Sequence, residues 1–280
     1  SILISTFMIS SSWIYATSVT AQPIAKKEVD IEIAIIVPKE GITLPVKWGN
    51  LGARLVRTGT IDKEKFTSLH KGRGGMGEYE TQLLFGEDNG NLEINQQNAN
   101  FVLNLLWALG LANKNEILEQ GPMEDPKYGG AGKFASTGGW TLSTDDAMRH
   151  YSKHKLIVLT EEQQKLVDKI SKNIYRPCCG NSTYFPDCNH GMAMLGLLEL
   201  LASQGVNESE MYEAALVVNS YWFPDTYQTI AKYFAKQNIE WDEVNPREAL
   251  SSAYSSGAGY RKVLSQVEPV QSSSGGGCGV

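Results

Sequence analysis

"NHGMAMLGLLELLASQG", residues 189–205, is the stretch that decides the fold class. From Met192 to Ala202 it is apolar on almost every helical face. A helix with no polar side belongs in the middle of a protein, covered all round. A second stretch of the same character, "NQQNANFVLNLLWALGLAN" at 95–113, supplies a partner of similar length. Two central helices predict a mainly α protein, and the remaining periodicity agrees. "IDKEKFTSLHKG" opens on Asp62 as a cap and closes at Gly72. "TEEQQKLVDKISKNIY" starts with a capping box, Thr160 with Gln163, and "NESEMYEAALVVNSYWF" starts with Asn207 and Glu210 in the same spacing. "DTYQTIAKYFAKQN" and two shorter C-terminal helices complete the set. The expected architecture is a single helical domain over 22–268 with one or two short N-terminal β elements. The alternation Val29, Ile31, Ile33, Ile35, ended by Pro38, marks the first of these elements.

Composition sets wider bounds. The chain has 280 residues, 42% hydrophobic and 20% charged, with net charge −6. That is enough apolar material for a full core. No Lys/Arg run appears, which excludes the electrostatic footprint of a nucleic-acid binder. Residues 1–21, "SILISTFMISSSWIYATSVTA", carry no charge and end with small residues at Val19 and Ala21. This is the pattern of a secretory signal and its cleavage site, so the expectation is an exported protein, periplasmic or extracellular. The alternative is a membrane anchor formed by residues 2–21, which the many hydroxyl side chains disfavour. Residues 269–280, "PVQSSSGGGCGV", form a Gly/Ser-rich tail that is flexible by composition and holds Cys278.

The unusual chemistry is concentrated in "RPCCGNSTYFPDCNHG", residues 176–191. Three of the four cysteines, Cys178, Cys179 and Cys188, and one of the four histidines, His190, fall there. With Asp187 as N-cap, Cys188 is the first helical residue and His190 the third. The free N–H groups of that helix end favour a thiolate. "GNSTYFP" is a turn-rich connection that lets the Cys-Cys pair fold back onto Cys188. Three soft sulfurs and an imidazole suit Zn²⁺ or Cu(I), with Cys178, Cys179, Cys188 and His190 as ligands. Consecutive cysteines are awkward ligands for one ion, so a set using one of the pair fits equally. Arg176, Tyr175, Tyr184 and Phe185 are expected to cover the loop, with Arg176 either pairing with an anionic ligand or, the more ordinary reading, capping a helix end. "YFPD" at 184–187 recurs as "WFPD" at 222–225, and both read as a helix-start device with an Asp cap.

Two other readings of the same residues stand beside metal binding. In a thiol enzyme, Cys188 is the nucleophile, Cys178 or Cys179 resolves, Asp187 and His190 handle protons, and Cys278 is a mobile shuttle toward a thiol partner. In a structural or interaction protein, the cysteines only form disulfides. A secondary set, Asp146, His150 and His154, is spaced i, i+4, i+8 and shares one face if the segment is helical. The more ordinary reading is a solvated polar face beside Arg149, Lys153 and Lys155.

The segment R-P-C-C-G-N…D-C-N-H-G resembles one found in uncharacterised, predicted exported prokaryotic proteins. That resemblance implies no activity, cofactor or fold. Other motifs fail. "GRGGMG" at 72–77 follows a helix and lacks the strand of a dinucleotide fold. "GGAGKF" lacks the Ser or Thr of a phosphate loop, and neither C-x-x-C nor the haem motif C-x-x-C-H occurs. The Gly-rich segment 121–143 is long for a loop, and its glycines would let it act as a lid.

Overall fold

A computed structural model describes residues 36–270. The signal-like stretch and the tail with Cys278 lie outside the described residues. Eleven α-helices and one two-stranded sheet are present among the described residues, so the protein is mainly α.

The two apolar stretches become α4 (Ala99–Ala112) and α7 (Asn189–Ser203) of the set that begins with α1 (Leu51–Arg57), α2 (Lys63–Lys71) and α3 (Glu78–Phe85), with α5 (Glu116–Gln120) and α6 (Glu161–Ser171) between them. Helices α4 and α7 pack together more extensively than any other pair of elements. Glycine makes that approach feasible. A Cβ on Gly110 would fall inside the Met192 carbonyl, and one on Gly196 would collide with the Leu106 carbonyl. The two backbones therefore touch directly. From Gly191 to Ala202, α7 is buried at every position. Each fully buried Leu or Met there contributes about 1.5–3 kcal/mol of apolar transfer.

Around this pair lie α8 (Glu208–Trp222), α9 (Pro224–Ala235), α10 (Pro246–Ala249) and α11 (Gly257–Leu264). The expected caps at Asp62, Thr160 and Asn207 each accept a backbone N–H from the residue three positions on, and the Thr160–Gln163 box is complete.

The expected strand over Val29–Ile35 lies outside the described residues. The sheet among the described residues is β1 (Ile42–Gly49) paired antiparallel with β2 (Asn89–Ile94), elements with no strong strand signal in the sequence. Leu44, Val46 and Trp48 alternate inward, a short signal interrupted by Pro45. Pro45 has no N–H to give the ladder, and the register shifts between Thr43 and Lys47.

The segment 121–143 is wound into 3₁₀ turns over Pro122–Glu124, Pro126–Tyr128 and Ala131–Lys133. It is pinned to the core. Trp140 is buried and donates Nε1 to Thr60 O at 2.8 Å, and Trp107 Nε1 donates to Ser136 O at 2.7 Å. It also reaches the cysteine loop, with Ser136 N donating to Asp187 O at 3.3 Å.

Candidate metal centre

The loop between α6 and α7 folds back on itself, as its turn residues predict. Tyr175 and Ser182 form an antiparallel bridge, and Thr183 N donates to Ile174 O at 2.8 Å. The neck is braced from the C-terminal side. Tyr175 N donates to Leu250 O, and Gly257 N, at the start of α11, donates to Cys179 O, each at 2.8 Å. The Cys178–Cys179 turn is thereby held against the start of α7.

At the centre of the loop is Arg176, which is 1% exposed. Its fork is almost fully used. Nε donates to Cys188 Sγ at 3.0 Å, Nη1 to Asn181 O at 3.0 Å, and Nη2 to Phe185 O at 3.1 Å and Asp187 Oδ1 at 2.6 Å. The guanidinium lies flat against Gly191 in the first turn of α7. A Cβ there would be 2.5 Å from the guanidinium carbon. Arg176 is therefore a buried cation around which the loop is organised, not the helix-end cap expected from sequence. The sequence offers Arg176 as an anion partner, but neither its burial nor the part played by Gly191 is legible there. The available signal was an Arg in a short turn-rich loop ahead of a helix whose third residue is Gly.

Asp187 corrects the expected cap. The N-cap of α7 is Cys188, with extended φ/ψ of −121° and 165° and no side-chain cap bond. The Asp187 carboxylate is taken by Arg176 on one oxygen and by Asn181 Nδ2 at 2.8 Å on the other. A buried guanidinium outcompetes the backbone N–H groups for that carboxylate. The start of the helix moves one residue along, and His190 becomes its second residue.

The three cysteines meet. Their Sγ atoms all lie within 4.8 Å of one another, and Cys178 and Cys188 are 3.6 Å apart. No disulfide joins any two of the three; Cys178 is exposed and the other two are half-buried. Sγ–Sγ contact at 3.6 Å is far beyond a disulfide bond of about 2.05 Å. It is close to the separation of about 3.8 Å set by two sulfurs bound tetrahedrally at ~2.3 Å to one ion. Hydrogen bonds from Cys178 and then Cys179, with the Arg176 charge behind them, hold the Cys188 thiol well below its ordinary range despite burial. Cys179 goes the opposite way. Its contact with Cys178 favours the thiolate, but the contact with Cys188 and burial outweigh it and push the thiol up. Within one cluster the thiolate form is thus favoured at Cys188 and disfavoured at Cys179.

His190 lies outside this group of ligand atoms. It is buried, its ring 4.4 Å from Phe223 and 5.5 Å from Trp222 by centroids. The second "FPD" copy explains that contact. There, Phe223 is the N-cap of α9, Pro224 its first residue and Asp225 its second, so Asp225 is not a cap either. The aromatic residues of that turn cover His190.

The secondary set is arranged differently from the expected helix. Residues 147–149 make one 3₁₀ turn, and Asp146 caps it by accepting from Met148 N at 2.8 Å. His150 and His154 do meet, Nδ1 to Nε2 at 3.0 Å, but the carboxylate on His150 Nε2 is Asp145, at 2.7 Å. Asp146 is thus replaced by its neighbour. Burial and the adjacent His150 lower His154 below the ordinary imidazole range. His150 is buried and its Nδ1 also lies 3.3 Å from Thr60 Oγ1, so this cluster is tied to the 58–60 turn, not to the cysteine loop.

The fold and the centre together define a mainly helical protein with an arginine-backed three-cysteine cluster. Compared with known proteins, the chain matches no family model, no curated protein and no solved structure.

Proposed function

We propose that this protein binds a soft metal ion, Zn²⁺ or Cu(I), through Cys178, Cys179 and Cys188. The observation that carries this reading is the convergence of three cysteine sulfurs within 4.8 Å of one another. Thiolate sulfur is the ligand type that selects such ions. A shared ion requires the widest separation to close by about 1 Å, since tetrahedral sulfurs sit ~3.8 Å apart. Cys178 stands on a turn, two residues before Gly180. Arg176 supports the same reading, because a fixed cation offsets the charge of clustered thiolates. His190 is left out of the ligand set in favour of the three sulfurs. A fourth position stays available for solvent, a partner's ligand or Cys278.

We further propose that the protein works outside the cytosol. The support is the uncharged, small-residue-terminated stretch 1–21. No helix among the described residues is long and apolar enough to cross a membrane.

Elemental analysis of protein purified without chelator, followed by titration of the reduced chain with Zn²⁺ and with Cu(I), tests the binding reading. One ion per chain is expected. Loss of the site is expected in Cys178→Ser, Cys179→Ser and Cys188→Ser, and retention in His190→Gln. Absence of stoichiometric binding of either ion by the reduced wild type sinks the proposal. Cys278→Ser decides whether the tail supplies a ligand.

A further inference from the structure

We infer that Cys178 and Cys188 are a thiol–disulfide exchange couple, with Cys178 the entry thiol and Cys188 the resolving sulfur, and that closing their bond dismantles the metal centre. The exchange rests on the sulfur geometry alone; the metal release rests on the binding function proposed above.

Three observations assign the roles. Cys178 is exposed and Cys188 is half-buried, so an external disulfide meets Cys178 first. Cys188 is immobile by construction. Its backbone is the N-cap of α7, and its sulfur is held 3.0 Å from Arg176 Nε, which in turn lies on Gly191. Cys178 sits on a turn, its sulfur 3.6 Å from Cys188 Sγ. Bond formation at ~2.05 Å needs the two sulfurs to approach by about 1.5 Å. Rotation of Cys178 on its turn supplies that approach without moving α7. Cys179 also touches Cys188, but it is half-buried and its sulfur lies 3.9 Å from Asn181 O, so the exposed Cys178 meets an external disulfide before it. A bond between Cys179 and adjacent Cys178 would strain the planar peptide between them. A Cys179–Cys188 bond as the main product would overturn the couple.

The chemistry balances with an external disulfide, RSSR, as oxidant. Cys178 Sγ attacks one sulfur of RSSR. A Cys178–SR bond forms, the RS–SR bond breaks, the first RS⁻ leaves, and the Cys178 proton passes to the Cys188 sulfur beside it. Cys188 Sγ then attacks the Cys178 sulfur. The Cys178–Cys188 bond forms, the second RS⁻ leaves, and the proton follows it. Two electrons pass from the cysteine pair to RSSR, which becomes two thiols. A centre of three sulfurs is left with Cys179 alone, too few ligands to retain an ion. The inference reverses the order expected from sequence, in which Cys188 attacked first.

The test uses the full chain with Cys278→Ser, reduced and metal-free, exposed to glutathione disulfide, then alkylated and mapped by mass spectrometry. The expected product is one Cys178–Cys188 bond, Cys179 alkylated, and two glutathione thiols released per chain. Cys188→Ser should accumulate glutathione on Cys178. Cys178→Ser should react at least about tenfold more slowly, because the remaining thiols are less accessible. A Cys178–Cys179 bond, glutathione on Cys188 at the wild-type rate in Cys178→Ser, or no oxidation while the denatured chain oxidises fully, each overturns the couple. A parallel arm with zinc-loaded wild type should release zinc in step with bond formation, read with a zinc-sensitive dye. A bond that forms with zinc retained overturns the release step. A chain that binds no zinc removes the metal reading, and the metal-free arm still decides the exchange.

Discussion

Helix α7 carries two acids whose surroundings shift them in opposite directions, a half-buried thiol and a fully buried carboxyl group. Cys188 caps its first turn, and Glu199 lies ten residues beyond its start, 0% exposed. Cys188 is held well below the ordinary thiol range by hydrogen bonds from Cys178 and Cys179, with a buried guanidinium 3.0 Å from its sulfur adding to them. Glu199 has no cation. Asn113 Nδ2 donates to one oxygen at 3.1 Å and Asn115 Nδ2 to the other at 2.5 Å, and burial outweighs both, pushing the acid well above the carboxylate range. The difference shows what each burial is for. Neutral amides fix a carboxylic acid in place without ionising it, which suits a structural tie between α7 and the 113–115 turn. Neighbouring thiols backed by a guanidinium favour the thiolate form at the rim of the loop, which suits chemistry.

The largest effect should come from removing the cation. Arg176→Met leaves Asp187 and Cys188 without their buried partner and four donated hydrogen bonds unmade. Breaking a buried pair on one side costs about 3–5 kcal/mol. A loss of unfolding free energy, read from denaturant titration, of less than a third of that would contradict the central place given to Arg176. Alkylation of Cys188 at neutral pH should slow as well. Arg176→Lys should recover little, since an ammonium cannot reproduce the fork.

Gly191→Ala attacks the same arrangement from the helix side. The added methyl meets the guanidinium carbon at 2.5 Å, and overpacking of this kind costs about 1–3 kcal/mol. Thermal unfolding and the Cys188 alkylation rate should fall together. A variant as stable and as reactive as wild type would show that the guanidinium can leave Gly191 freely.

The contrast along α7 was only partly legible in the sequence. Apolar continuity predicted the helix and its burial, because an element without a polar face has one place to go. The cysteine convergence was legible too, since "GNSTYFP" has the turn residues to fold back. Arg176 was not, because burying an arginine depends on partners supplied by Asn181, Phe185, Asp187 and Gly191 at once, and no local rule sums them. The cap slipped by one residue for the same reason: local preference puts Asp187 on the helix end, and Arg176 takes it away. His150 and His154 were rightly paired by spacing, yet the helix that justified the spacing was absent, and Asp145 replaced Asp146. β1 was missed because Pro45 interrupts its alternation.

Glu199→Gln probes the other acid. Asn113 Oδ1 accepts from Ile157 N and Asn115 Oδ1 from Ile117 N, each at 2.8 Å, so both amides must point their NH₂ groups at position 199. Two donors need two acceptor oxygens, which a carboxyl group offers and a carboxamide does not. One buried donor would face the glutamine NH₂, at a cost of about 1–3 kcal/mol. Equilibrium unfolding near pH 4 measures it, because Glu199 is then protonated in the folded state and mostly so in the unfolded one. Equal stability of the two proteins at that pH would mean that the amides turn over.

The smallest effect is a pair of opposite pH slopes. Glu199 is raised on folding, so its cost is absent below its unfolded value near ~4.3 and grows as pH rises toward its folded value. Stability from this group falls with pH in that window. Cys188 is depressed on folding, so its contribution is fully present above its unfolded value near ~8.5 and is lost as pH falls through its folded value. Stability from this group rises with pH. Denaturation of reduced, metal-free protein at a series of pH values should therefore show Glu199→Gln removing a decline on the acid side and Cys188→Ser removing a rise toward the alkaline side. If Cys188→Ser kept the wild-type rise, the sulfur would be a thiol in the folded protein and Arg176 would be serving Asp187 alone.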